Sequence, residues 1–189
     1  MTRYSIAIIS ASVREGRNSH RVALFFRNYL SEEGLAVSNI LDLDEYRFPL
    51  FNERMKFQKD PSPAVLDFAS KISKADGVII VTPEYNGGYP ASLKNVIDLL
   101  YTEWYHKPVA ISTVSEGTFG GSQVITSLQF ILWKIKALTV PAQFPVPQVN
   151  QAFDESGSPA DKQAVEKRLK PFLDELFWCI EAVNRMRDQ

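Results

Sequence analysis

Short unbroken apolar runs along this chain alternate with stretches in which apolar residues return every three or four positions. Tyr4–Ser10 is rich in isoleucine and closes on small polar residues, which predicts a buried parallel strand. From Ser19 onward Val22, Ala23, Phe25, Phe26, Tyr29 and Leu30 keep helical spacing, and Gly34 stands where a helix-ending glycine belongs. The same reading predicts a strand over residues 36–41, a helix over 63–73 and a third, most apolar strand over 77–81. A helix over 92–100, a strand over 108–112 and a long helix over 122–138 follow. A proline-punctuated fifth strand within 140–149 and a terminal helix over 159–186 complete the pattern.

Strands that alternate with helices pair in parallel through right-handed crossovers, giving a sheet covered on both faces. Five of each predict an α/β fold: a flavodoxin-like, doubly wound five-stranded parallel sheet in the order 2-1-3-4-5. The 189 residues form one expected domain, 1–189, with no internal repeat. One connection, 44–62, is long for a compact domain and carries Phe48, Leu50, Phe51, Met55 and Phe57. Such a segment predicts a lid or a partner subunit.

Composition then narrows the chemistry. A formal charge of −1 gives no general attraction for nucleic acid or anionic membrane, so the expected partner is a small molecule. The single cysteine, Cys179, excludes an internal disulfide, a CxxC pair and a thiolate metal cage, and its apolar surroundings read as helix core. Redox chemistry would need a cofactor. Arg3 is followed by a short apolar run with no cleavage pattern, and no stretch reaches the ~18 apolar residues of a membrane span, so a cytoplasmic protein is expected.

In an open parallel sheet every loop leaving a strand's C-terminal end lies on one edge, and ligands bind where strand order reverses. Three such loops stand out. The first, 10–20, offers Ser10, Ser12 and Ser19 hydroxyls, the Arg14 and Arg17 guanidiniums, Gly16, Asn18, and the amides of a helix N-terminus. It can hold a phosphate without a metal; taken alone, a helix cap with solvated arginines explains it equally well. It lacks the G-K-[ST] of a Walker loop and the three glycines of the dinucleotide fingerprint. In the second loop Pro83 ends the strand, and Glu84, Tyr85, Asn86, Gly87 and Gly88 precede Pro90. Two glycines permit positive φ and close backbone approach, so this loop reads as a flat amide platform for a ring, with Tyr85 or Tyr89 adding aromatic surface, or as an ordinary turn. Lys94, Asn95 and Asp98 beyond it read as structural. The third loop, 112–122, is rich in glycine and hydroxyls, a weak signal by itself. His20 and His106 sit at helix ends and read as capping or surface residues.

At these loops the chain resembles the NADPH-dependent FMN reductase family, which includes quinone, chromate and azo-dye reductases. The resemblance rests on Ser12-Val-Arg14, on Pro83-Glu-Tyr-Asn86 with Pro90, Leu93-Lys-Asn95 and Ile97-Asp98, and on Ser115-Glu-Gly117 with Gly120-Gly121, in matching order over about 4–150. It implies FMN as cofactor and NADPH or NADH as co-substrate. It further implies Ser12, Arg14 and Ser19 at the FMN phosphate, Pro83, Glu84, Tyr85 and Asn86 at the isoalloxazine, and Ser115, Glu116, Gly117, Gly120 and Gly121 on its other side. Ser10, Arg17, Asn18 and Gly87 join them as candidate cofactor-binding residues, Arg17 at the phosphate or the NADPH. Ala11 departs from the family's usual glycine. The implied reaction is ping-pong hydride transfer through flavin N5 to quinone, azo, metal-ion or free-flavin acceptors, with no protein nucleophile or base and no catalytic side chain. A homodimer or homotetramer is expected, built on the 44–62 loop and the helix end near Trp104. The rival classes are an electron carrier like flavodoxin and a redox-regulated flavoprotein without sustained turnover.

Overall fold

The computed structural model describes residues 4–187, so Arg3 lies outside the described residues. Strands β1 (Tyr4–Ser10), β2 (Ala36–Asp42), β3 (Gly77–Pro83), β4 (Pro108–Val114) and β5 (Leu138–Gln143) form one parallel sheet in the order β2-β1-β3-β4-β5. The expected order is the observed one, and it reverses between β1 and β3. Helices α1 (Ser19–Glu32), α2 (Leu43–Tyr46), α3 (Pro63–Lys74), α4 (Ala91–Leu99), α5 (Val124–Lys134), α6 (Val149–Ala152) and α7 (Lys162–Arg187) occupy the connections and the C-terminal segment.

The two-residue period of the strands divides the core. Ala7, Ile9, Val78 and Ile80 face α3, α4 and α5, whereas Ile6, Ile8, Ile79 and Val81 face α1 and α7. A strand buried on both faces must be apolar throughout, which is why β1 and β3 are so plain in the sequence. Helix ends follow local chemistry too. Ser62 Oγ accepts the Val65 amide at 3.4 Å with Pro63 in the first turn of α3, and Gly34 takes a left-handed φ of 66° just past α1.

Departures from expectation concentrate at one edge of the sheet. The predicted 122–138 helix ends at Lys134; Lys136 adopts φ 63°, and Leu138 already belongs to β5. β5 stops at Gln143, not 149, because Val149 opens α6. It carries Pro141, and its register against β4 shifts between Val109 and Ile111. The terminal helix begins at Lys162, where Asp161 Oδ1 accepts the Ala164 amide at 3.0 Å.

The 44–62 connection is more ordered than its sequence suggested. It contains part of α2 and a 3₁₀ turn, Met55–Phe57; Tyr46 stacks on Phe48 at 5.1 Å and both meet Phe68 edge-on. Asn95 ties it to α4: its Nδ2 donates to Pro49 O at 2.8 Å, and its Oδ1 accepts the Phe51 amide at 2.5 Å. Lys94 pairs with Asp98 one turn on, so both readings of the Leu93-Lys-Asn95 segment as structural hold. Phe48 and Met55 pack on the core, while Leu50 (85% exposed) and Phe57 (62%) do not. Trp104 is buried within the chain and so is not itself open to a partner subunit, a correction to the interface role expected of that helix end. Beside it Lys107, 2% exposed, donates through Nζ to Ser73 O at 3.1 Å and to Ala75 O, closing the C-terminus of α3. Burial pushes its pKa down to about 8.

Candidate functional site

The loops after β1, β3 and β4 meet around a cavity of about 220 Å³ at the point where strand order reverses. From the first loop Ser12, Arg14, Gly16, Arg17, Asn18 and Ser19 line it. Pro83, Glu84 and Tyr85 come from the second loop, and Val114, Ser115, Glu116 and Val149 close the third side.

The first loop turns through Gly16, at φ 68°, and not at Ala11. Ala11 is buried, its amide donates to Val81 O at 3.0 Å and its carbonyl accepts Ser92 Oγ at 2.6 Å, so an alanine there costs nothing. No side chain caps α1, which argues against the reading of Asn18 or Ser19 as a mere helix cap. Ser19 Oγ is buried without a hydrogen-bond partner, and the Arg14 guanidinium has none among the described residues. An orphaned hydroxyl, an unpaired cation and an uncapped helix N-terminus on one cavity are the donor set a phosphate needs. Glu84 and Glu116 also line the cavity, so attraction for an anion must come from Arg14 and the helix end.

Two other first-loop residues are engaged inside the protein. Ser10 is fully buried, does not line the cavity, and bonds through Oγ to His20 Nδ1 at 3.1 Å. Arg17 lines the cavity but directs its guanidinium to Asp42 and to Ser12 O. His20 is half-buried, correcting its expected surface role; its Nδ1 also lies 3.3 Å from Asp42 Oδ2, and burial pulls its pKa below the usual imidazole range. The serine and the carboxylate share one ring nitrogen, so the trio is not a proton relay. His106 is exposed, as expected.

The second loop is a tight hairpin. The Tyr85 amide donates to Gly88 O at 2.8 Å and the Gly88 amide to Tyr85 O at 3.0 Å, with Asn86 at φ 52° and Gly87 at φ 79°. Positive φ at both central residues defines a type I′ turn, for which Asn-Gly is the preferred sequence. The positive φ expected at Gly88 is thus found at Asn86. The Asn86 and Gly87 amides make no hydrogen bond among the described residues, though neither residue lines the cavity. Tyr85 Oη and Ser12 Oγ bond at 2.6 Å, bracing the second loop against the first; Tyr89 instead packs on the core.

In the third loop Asn18 Nδ2 donates to Glu116 Oε1 at 3.1 Å, linking it to the first. Ser115 Oγ donates to Gly117 O, whose oxygen also accepts the Gln148 amide. Gly120 and Gly121 are buried against their own chain: a Cβ on Gly120 would stand 3.1 Å from Pro147 N, and one on Gly121 3.2 Å from Val114 O. Their smallness serves internal packing, and Gly117, Gly120 and Gly121 are not among the residues that line the cavity. Asp42, absent from the sequence-based candidates, proves central to the first loop.

A doubly wound parallel sheet in this order, with a polar-lined cavity at its reversal point, is the flavodoxin-like architecture. Residues 4–151 match the model of the family described as NADPH-dependent FMN reductase, and the chain belongs to that family. The chain is similar to the NAD(P)H-dependent FMN reductase LOT6 of Saccharomyces cerevisiae, 31% identical over 144 residues covering 69% of this chain and 74% of the yeast protein. It is also similar to a quinone reductase of Pseudomonas putida, 31% identical over 179 residues covering 90% and 89%. Among solved structures, the flavoenzyme FerB of Paracoccus denitrificans superposes with a TM-score of 0.76 at 22% identity, covering 94% of this chain and 98% of that one, a likeness of fold. The protein is an NAD(P)H-dependent oxidoreductase of this family, with FMN as cofactor and NAD(P)H as co-substrate. No helix among the described residues is long and apolar enough to cross a membrane.

Proposed function

We propose that this chain passes reducing equivalents from NAD(P)H through bound FMN to quinone, azo, metal-ion or free-flavin acceptors in a ping-pong cycle. The observation that carries the reading is the cavity at the β1/β3 reversal, where neither Ser19 Oγ nor the Arg14 guanidinium has a partner among the described residues. Bound there, the flavin supplies the hydride chemistry. Arg14, Ser19 and the first amides of α1 hold its phosphate, and the Ser12–Tyr85 bond fixes the distance between that phosphate loop and the 85–88 turn. The Asn86 and Gly87 amides, without hydrogen bonds among the described residues, are available to the ring at the rim beyond the cavity, and the Asn18–Glu116 bond links the third loop to the first. The spectrum of the purified protein tests the reading: flavin bands should be present, NADPH should bleach them, and a quinone should sustain NADPH consumption. A protein that holds FMN but turns over once and stops would be a carrier.

Arg14→Ala is expected to weaken FMN binding by about 2 kcal/mol, roughly thirtyfold in Kd, through loss of a charge-assisted contact. Riboflavin, which has no phosphate, should bind both proteins alike. Equal losses for the two ligands in a fluorescence titration would remove the phosphate from this loop.

The reading includes a homodimer or homotetramer, supported by Leu50 and Phe57 standing exposed on a loop that Asn95 holds in place. Light scattering at micromolar concentration is expected to give twice the 21.4 kDa chain mass or more. A strict monomer would reject the assembly. A cytoplasmic setting belongs to the same proposal, and cell fractionation checks it.

A further inference from the structure

We infer that Arg17 and Asp42 are positioning residues, a staple that sets the first loop for the cofactor's phosphate while Arg17 itself stays off it; this rests on the FMN reading of the cavity. Arg17 Nη1 donates to Ser12 O at 2.9 Å and to Asp42 Oδ1, and Nη2 donates to Asp42 Oδ2 at 2.6 Å. Nη2 also lies 3.6 Å from Asp44 Oδ2. The end-on fork of the two terminal nitrogens is thereby taken by Asp42, and what is left, Nε–H and the second Nη2–H, has the Asp44 carboxylate 3.6 Å from Nη2, a charge that opposes a phosphate there.

The carboxylate is equally committed. Asp42 closes β2 opposite Ser10, is 2% exposed, and accepts the Asp44 amide at 3.1 Å besides the arginine. His20 Nδ1 stands 3.3 Å from its other oxygen. A buried carboxylate with a bidentate arginine is a rigid unit, and removing one member leaves an uncompensated charge. Through Ser12 O this unit grips the middle of the loop, two residues from Arg14 and beside the Ser12 hydroxyl that meets Tyr85. It fixes where Arg14 and Ser12 stand without contributing a ligand.

The two roles open to Arg17 predict opposite signs. If Arg17 met the phosphate directly, Asp42→Asn would remove a competing negative charge and FMN would bind as well or better. If the pair is a staple, Asp42→Asn and Arg17→Gln should each weaken FMN binding about tenfold, and the double variant should be no worse than the worse single, since one unit is lost in all three. Arg17→Lys keeps the charge but not the fork, and should lose about as much as Arg17→Gln.

The experiment titrates FMN and riboflavin into the full apo chain and these four variants, with near-UV circular dichroism confirming the fold of each. FMN affinity should fall in all four while riboflavin affinity stays within about twofold, a split that general loss of structure would not produce. Unchanged or tighter FMN binding in Asp42→Asn, or FMN binding in Arg17→Lys equal to that of the unaltered chain, overturns the staple. Should Asp42→Asn not fold, the comparison of Arg17→Lys with Arg17→Gln decides: equal losses support the staple, and clearly tighter FMN binding with lysine, which keeps the charge, overturns it. An unaltered chain that does not prefer FMN to riboflavin would remove the cofactor reading, and the staple's role with it.

Discussion

Replacing Gly157 with alanine is expected to destabilise the fold by more than about 3 kcal/mol, read as a fall in the denaturant midpoint. The turn around it lies against α1: Arg21 Nη1 donates to Phe153 O at 3.0 Å, and Asn28 Nδ2 to Ser156 O at 3.3 Å. Asp154 Oδ1 accepts the Ser156 hydroxyl at 2.7 Å and the Ser158 and Ser156 amides, and these bonds, the hydroxyl's first, lower its pKa. Gly157 sits at φ 86°, and a Cβ there would come within 2.6 Å of Phe25 N and 2.7 Å of Arg21 O. Both are backbone atoms of a helix and cannot yield as a side chain could. Gly16 supplies the control, because it has a similar φ of 68° and nothing within 4 Å of its missing Cβ. Gly16→Ala should cost only the backbone strain, about 1–2 kcal/mol. Equal losses in the two variants would mean that the contact with α1 is not what requires glycine.

The second large effect is expected at the hairpin. Valine at both Gly87 and Gly88 should leave the sheet folded and lower NADPH oxidation by about a hundredfold or more, with loss of bound flavin. Gly87 is exposed at φ 79°, a conformation that a β-branched residue adopts only under strain, so the turn must open. Tyr85 then leaves Ser12, and the two loops proposed to hold the ends of the cofactor lose their spacing. Gly88→Ala should be mild: its φ is not positive, and its Cβ would sit 3.7 Å from Tyr85 O. Circular dichroism and flavin content on the same sample decide the matter. A folded double variant with full FMN occupancy and normal turnover would reduce this loop to a connection.

What the sequence disclosed follows from what each element buries. β1 and β3 lie at the centre of the sheet and show as continuous apolar runs, so their bounds and the strand order could be read directly. β5 alternates weakly between exposed and half-buried positions and contains a proline, and its extent was misjudged. The three loops were legible because small and polar residues interrupt those apolar runs. The Asn-Gly pair announced the hairpin but was read as part of a glycine pair. Arg17 was read toward the phosphate or the NADPH, and its pairing was hidden, since its partner is 25 positions away and nothing local distinguishes a solvated guanidinium from a paired one. The packing of Gly120 was hidden for a related reason: the segment it lies against, 145–147, comes later in the chain.

The β5 margin has a consequence for the protein's behaviour among its own copies. An outermost strand offers a row of unpaired amides and carbonyls on which a foreign strand can grow. Here Pro141 removes one donor from that row, and the register shift against β4 spoils its regularity. The irregularity that obscured β5 in the sequence therefore makes this margin a poor template for runaway sheet growth, and association between copies is left to side-chain surfaces, which can close into a finite assembly.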